Sequence, residues 1–219
     1  MKRFAALLAL VAVARLGAAA PAGGADDAWT ILPAIEPGTP FHDNEIPLHP
    51  APGGLALTVV DGRWRLVPAT VTGDWETPGQ KYAITLRASP PDAPFYLHVP
   101  GLVAGKVDTP DMRFKGVTRE LDSPSLAIAF KSASWRFETK GGAVTLVNGL
   151  RRQRLGDAPN DQEMRTVGLL WAGDLDRDGQ LDFILQSTTD DDVTYCLWLS
   201  GHAGPNEIVG RAACMSRSS

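Results

Sequence analysis

Short segments with alternating apolar and polar residues, or brief apolar runs, fill the chain from residue 54 onward, separated by glycine, proline and aspartate. A period of two places apolar side chains on one face of a strand, whereas a helix requires a period near 3.6. The segments are Leu55–Val60, Trp64–Val71, Tyr82–Ala88, Phe95–Val99, Leu126–Phe130, Ala143–Val147, Thr166–Gly173, Phe183–Ser187, Tyr195–Ser200 and Ile208–Cys214. The pattern predicts an all-β, mainly antiparallel fold, a β-sandwich or partly open barrel with little helix.

Asp61-Gly62 separates the first two of these segments. Both central positions of a two-residue hairpin turn must accept a positive φ, which aspartate followed by glycine does. We therefore predict a hairpin that joins Leu55–Val60 to Trp64–Val71. The one helical pattern is short and covers Asp157–Met164.

The first 22 residues have the composition of a secretory signal peptide. Lys2 and Arg3 precede the apolar run Phe4–Ala14, and small residues follow up to Ala22. Arg15 leaves the run too short for a permanent membrane span. We expect cleavage after Ala22 and a periplasmic or secreted mature protein without membrane insertion.

Residues 23–53 are rich in proline, which fixes φ and removes a backbone donor. They are predicted to form an extended arm, and residues 54–219 to form one β-rich domain. The whole chain has a formal net charge of −4, and loss of the basic signal residues makes the mature chain more acidic. This charge disfavours nucleic acid as a partner.

Cys196 and Cys214 are the two cysteines of the chain. Two cysteines in an oxidising compartment usually pair. We predict one disulfide that holds the C-terminal segment to the strand around Cys196.

Asp174–Asp182 is the one segment whose residue types and spacing indicate a specific chemistry. Aspartates occupy its first, third, fifth and ninth positions, at Asp174, Asp176, Asp178 and Asp182, and a glycine occupies the sixth. A hard cation such as Ca²⁺ takes several oxygen ligands, and glycine permits the sharp turn that lets them converge. The spacing predicts a calcium site formed by these four carboxylates and the backbone carbonyl of Gln180.

This EF-hand-like loop differs from an EF-hand, because its twelfth position is Leu185 and its flanks have strand character. The segment of about residues 167–187 resembles the calcium loop of FG-GAP/VCBS repeats, which occur in integrin-like propellers and exported bacterial proteins. The resemblance implies the same five ligands in a loop between two strands. A propeller needs several blades, and the chain has one copy, so only the ion site is implied.

Other candidate residues lack a motif. The four histidines, His42, His49, His98 and His202, have no metal-ligand spacing. Asp190-Asp191-Asp192 is interpreted as a solvated turn, or as the source of one more carboxylate for the ion site.

Together these features predict an exported calcium-binding β-domain that acts as a binding or envelope-associated module, with a protein or glycan partner. The alternative is a secreted hydrolase of an envelope or extracellular polymer with structural calcium, whose catalytic residues the sequence does not identify. The two classes differ in the site that they require. A hydrolase needs a polar cleft with paired carboxylates or a nucleophile, whereas a binding module needs an exposed face.

Overall fold

The computed structural model describes residues 30–34, 40–41, 54–75, 84–111, 119–121, 125–140, 143–155 and 166–218. These residues form antiparallel strands and one short 3-10 helix, so the predicted all-β, mainly antiparallel fold is confirmed. The predicted signal peptide, residues 1–22, and the helical pattern at Asp157–Met164 lie outside the described residues. No helix among the described residues is long and apolar enough to cross a membrane.

The strands are numbered in chain order. They are β1 (Thr30–Pro33), β2 (Pro40–Phe41), β3 (Gly54–Val60), β4 (Arg63–Trp75), β5 (Ile84–Ser89), β6 (Phe95–His98), β7 (Gly105–Lys106), β8 (Arg119–Glu120), β9 (Ser125–Phe130), β10 (Ala133–Lys140), β11 (Ala143–Asn148), β12 (Arg151–Leu155), β13 (Thr166–Gly173), β14 (Asp182–Thr188), β15 (Asp192–Leu199) and β16 (Gly210–Ser218). The 3-10 helix, Ser200–His202, lies between the last two strands.

The described strands pair in three sheets. The first has the order β1-β6-β3-β4-β5-β2, with β7 also paired to β4; the second has the order β12-β11-β10-β9; the third has the order β16-β15-β14-β13-β8. Within the predicted arm, β1 and β2 are the described segments, and each is paired at an edge of the first sheet. The predicted hairpin is confirmed, because β3 and β4 pair in register and both Asp61 and Gly62 have positive φ.

The third sheet is buried on both faces. Successive residues of β14 alternate between two cores: Ile184 packs in a core shared with the first sheet, whereas Phe183 and Leu185 pack in a core shared with the second sheet. Each of these two cores contains an edge-to-face pair of aromatic rings. Trp64 contacts Trp171 between the first and third sheets, and Phe137 contacts Phe183 between the second and third sheets. The third sheet is therefore the middle layer, which explains why its strands read as nearly continuous apolar runs.

Cys196 and Cys214 lie directly opposite each other in the register of β15 and β16. Their Cα atoms are 4.2 Å apart and their sulfur atoms are at disulfide distance. The pair links the last strand to its neighbour within the middle sheet, as predicted from the two cysteines of the chain.

Gly173, the last residue of β13, lies where the middle sheet meets the segment that follows β7. A Cβ built at Gly173 would lie 2.7 Å from the carbonyl oxygen of Asp108 and 2.5 Å from the indole ring of Trp171. The next residue, Asp174, donates its backbone N–H to that same carbonyl over 2.9 Å. The absence of a side chain at Gly173 therefore permits the contact that fixes the start of the acidic loop.

Gly173→Ala is predicted to lower the free energy of unfolding by about 2–3 kcal/mol, because the added methyl group must displace backbone or a buried ring. Gly62→Ala is the comparison: its Cβ meets open space, and only its left-handed φ of +72° is unfavourable, so it costs about 1 kcal/mol. Urea denaturation measures the free energy of unfolding of both variants. Equal losses in the two variants would contradict the close approach at Gly173.

Candidate metal centre

Two leucines position the acidic loop, Asp174–Asp182, at the meeting point of the layers. Leu175 is fully buried in the core between the first and third sheets, and Leu181 is fully buried in the core between the second and third sheets. Each leucine is adjacent to a candidate ligand in the sequence. The apolar positions of the loop therefore fix its backbone from both sides, while the intervening aspartates converge.

The loop turns sharply over its central residues. Gly179 has a φ of +89°, the left-handed conformation that favours glycine, as the sequence predicted for the sixth position. Arg177 also has a positive φ, and its guanidinium donates to the carbonyl of Val103 over 2.9 Å. The turn is thus held to the loop that precedes β7.

Three carboxylates converge inside this turn. Asp174, Asp176 and Asp182 each offer an oxygen atom, and these atoms all lie within 4.8 Å of one another. Asp174 is 4% exposed and Asp182 is fully buried, whereas Asp176 is half-buried. Carboxylates at this separation repel one another strongly when water is excluded. The group can hold a metal ion, and the identity of that ion is a separate question.

Asp182 is the most enclosed of the three. One of its oxygens accepts backbone N–H groups of Leu175 and Asp176, over 2.6 and 3.2 Å, and the other accepts the backbone N–H of Ser200 over 2.8 Å. Burial, followed by the charge of Asp176, raises the pKa of Asp182 to about 8, although these hydrogen bonds oppose the rise. A nearby positive charge would remove the unfavourable energy of its ionisation.

Asp174 forms an ion pair with a lysine. The Lys131 ammonium, from the turn between β9 and β10, donates to one Asp174 oxygen over 2.6 Å. The hydrogen bond with Asp174 raises the pKa of Lys131, so the lysine is charged at neutral pH. Gly179 also donates its backbone N–H to this carboxylate, over 3.2 Å. Lys131 therefore contributes one positive charge to a loop with four carboxylates.

Asp176 faces the 3-10 helix that follows β15. It accepts the backbone N–H of Gly201 over 2.8 Å, and burial raises its pKa, as do the charges of Asp178 and Asp174. A Cβ on Gly201 would come within 2.5 Å of the Asp176 carboxylate. A side chain at residue 201 would therefore have to displace the Asp176 carboxylate from its present position.

Asp178 and Gln180 lie on the exposed side of the loop. Asp178 is not part of the convergent group of three; one of its oxygens accepts the backbone N–H of Gln180 over 2.7 Å. The same oxygen lies 2.9 Å from the Ser200 hydroxyl, which is also 3.0 Å from Asp182. A hydroxyl has one proton and can donate to only one carboxylate. The Ser200 hydroxyl therefore bridges the two carboxylates with a single proton.

The other candidates of the sequence lie elsewhere. Asp190, Asp191 and Asp192 belong to the β14–β15 turn and the start of β15. That turn and the acidic loop lie at opposite ends of β14, which has seven residues and is roughly 20 Å long. The interpretation that these residues add a carboxylate to the ion site is therefore wrong.

Of the four histidines, His42 and His49 lie outside the described residues, and His98 lies in β6, in the first sheet. His202 belongs to the 3-10 helix beside Asp176, and burial lowers its pKa.

Lys131, Ser200 and Gly201 contact the site but were not predicted from the sequence. Lys131 lies 43 positions before Asp174, and Ser200 lies 18 positions after Asp182. A lysine in a hairpin turn and a Ser-Gly pair after a strand are common features of exposed turns. Their role becomes visible only when the three sheets are assembled.

Comparison of the chain with protein-family models, with curated proteins and with solved structures finds no match.

Lys131→Met is predicted to destabilise the metal-stripped protein by about 1–2 kcal/mol. Breaking a fully buried pair costs about 3–5 kcal/mol, and the loss is smaller here because the lysine side chain is 40% exposed. Lys140→Met, which changes an exposed lysine of the next strand, is the control and should have little effect. Urea denaturation after metal removal gives both values.

Although Lys131→Met should destabilise the metal-stripped protein, it is expected to strengthen the binding of a divalent cation. Removal of one unit charge beside the loop should tighten cation binding by roughly tenfold in a water-like dielectric. Calorimetric titration of the metal-stripped variant measures this change. Weaker or unchanged cation binding in Lys131→Met would contradict the placement of the lysine at the site.

Proposed function

We propose that this protein is an exported β-domain that binds one Ca²⁺ in the loop Asp174–Asp182 and acts as a binding or envelope-associated module. The ion has a structural role in this proposal: it holds the loop to the corner after β15 and thereby stabilises the junction of the three sheets. No chemical step is assigned to the site.

The observation that carries the proposal is the convergence of Asp174, Asp176 and Asp182 within 4.8 Å, two of them buried. Carboxylate oxygen is the donor that Ca²⁺ prefers, whereas Zn²⁺ prefers the nitrogen and sulfur ligands of histidine and cysteine. A buried group of acids with one lysine is unfavourable in a low dielectric, and a divalent cation removes most of the repulsion.

In the proposed site, the side chains of Asp174, Asp176 and Asp182 hold the ion, and Asp178 and the carbonyl of Gln180 complete the set. Ser200 is the addition that geometry suggests, since its hydroxyl already lies among the oxygens of Asp178 and Asp182. A hydroxyl oxygen at this position would add one more oxygen ligand to a cation that takes about six to eight.

Two further features support the proposal. The loop lies between antiparallel strands, β13 and β14, which agrees with the strand–loop–strand setting of the FG-GAP/VCBS loops that the segment resembles. The cysteine pair at disulfide distance and the leader-like first 22 residues both favour an oxidising, exported location.

Calcium is predicted to raise the melting temperature of the metal-stripped protein by about 3–6 °C at tenfold excess over the dissociation constant. Such an excess contributes about 1.4 kcal/mol, and about 1 kcal/mol shifts the melting temperature of a chain of this size by ~2–4 °C. Asp176→Asn should abolish the shift, because the half-buried carboxylate is lost while the side chain keeps its size. Differential scanning calorimetry measures it.

The control for this substitution is Asp61→Asn. It removes the same charge from an exposed hairpin turn whose positive φ suits asparagine, so the calcium shift should persist. Magnesium at equal concentration should give a smaller shift, because Mg²⁺ demands stricter octahedral geometry and dehydrates reluctantly. Equal calcium shifts in the parent protein and in Asp176→Asn would refute the proposed site.

A further inference from the structure

The outer face of the second sheet concentrates positive charge in a protein whose net charge is −4. Trp135 and Phe137 of β10 point into the core, so the alternate residues of that strand, Arg136, Glu138 and Lys140, point outward. In the register of the sheet, Val147 of β11 lies between Arg136 and Arg152, and Thr145 lies between Glu138 and Arg154. Residues directly opposite one another share a face.

This outer face has four cations and one carboxylate among the described residues: Arg136, Lys140, Arg152, Arg154 and Glu138. Its cations stand on β10 and β12, with β11 between them. The outward residues of β11 are small or branched: Ala143, Thr145 and Val147. Two strand spacings separate the rows of cations, roughly 10 Å. The face therefore has two rows of cations with a strip of small side chains between them, and this strip is called the channel below.

An internal anion already occupies part of this channel. The Glu138 carboxylate pairs with Arg136 over 2.7 Å and with Arg152 over 2.5 Å, and the second pair crosses over β11. Val147 beneath them is 6% exposed, as expected where arginine stems cover an apolar floor. The two guanidinium groups are thus already arranged around one carboxylate, the geometry that an external carboxylate would need.

We propose that this channel, between β10 and β12, binds an acidic polysaccharide chain whose carboxylates replace or join Glu138. Charge complementarity favours a polyanion. The described residues of the face include no exposed aromatic ring for base stacking. One large apolar residue beside it, Leu150 in the β11–β12 turn, is fully exposed, and a single leucine offers little apolar area for insertion into acyl chains. The hydroxyl-bearing Thr145 within the channel, and Ser125 and Ser134 beside it on β9 and β10, suit a hydrated sugar chain.

The proposal rests on the proposed role as a binding module, and it is independent of the ion. The channel lies on the outer surface of the second sheet, whereas the acidic loop joins strands of the third sheet. Failure of calcium binding would leave it intact, and failure of polysaccharide binding would leave the calcium site intact. The two proposals are separated by measuring polymer binding with metal-stripped protein as well as in calcium.

The test is the binding of polygalacturonate, a carboxylated polysaccharide, to the full chain at low and at physiological ionic strength. Arg152→Gln with Arg154→Gln should weaken binding about three- to thirtyfold, because two exposed charge contacts are lost. Glu138→Gln should strengthen it, because it releases two arginines. Arg63→Gln with Arg65→Gln removes the same charge from exposed positions of β4 and should change binding little. Melting temperatures verify that each variant is folded.

The expected result is saturable, salt-sensitive binding that requires Arg152 and Arg154 and persists in metal-stripped protein. Four results would overturn the proposal, the fourth of which concerns the metal. One is no binding, and another is an equal loss in the two double-arginine variants. The third is tighter binding to duplex DNA or to vesicles of anionic phospholipid than to polygalacturonate. Binding that disappears on metal removal would assign the polymer to the acidic loop, and would also overturn it.

Discussion

Two carboxylates, those of Asp174 and Asp182, lie buried at the point where the three β-sheets meet. Removing an ionised carboxylate from water costs several kcal/mol unless hydrogen bonds and an opposite charge offset it. Backbone N–H groups of the loop and of Ser200 supply the hydrogen bonds, and Lys131 supplies one charge. Lys131 comes from the second sheet, Ser200 follows β15 of the third, and Asp108, which borders the first, bonds to the loop backbone. The groups that stabilise the buried carboxylates and their loop therefore come from all three sheets.

The middle layer explains why the loop occupies this position. Because the third sheet is covered on both faces, a loop at its end meets both cores, and Leu175 and Leu181 fill one core each. A two-layer sandwich would leave one side of such a loop in water, where its aspartates would be solvated and their repulsion screened. The burial that makes the site costly without a cation is thus a consequence of the three-layer architecture.

The strands and the loop could be predicted from local sequence, whereas the partners of the loop could not. The Asp61-Gly62 hairpin and the strands that flank Asp174–Asp182 follow from period-two patterning and turn chemistry, which act over a few residues. The strand β12 was missed, because its arginines look like a solvated segment. Lys131 and Ser200 contact the loop only once the sheets have packed together, and the sequence around each residue does not indicate such a contact. The spacing of the aspartates predicted four carboxylate ligands, but the structure separates exposed Asp178 from the convergent three.

Backbone amide hydrogen exchange, compared between metal-stripped and calcium-loaded protein, tests this account most directly because it reports each contact of the junction separately. The amides of Asp174, Leu175, Ser200 and Gly201 donate to the bonds that hold the loop to its surroundings. The account predicts that calcium slows the exchange of all four together, although they come from two segments of the chain. Unchanged exchange, or slowing confined to residues 174–182, would contradict it.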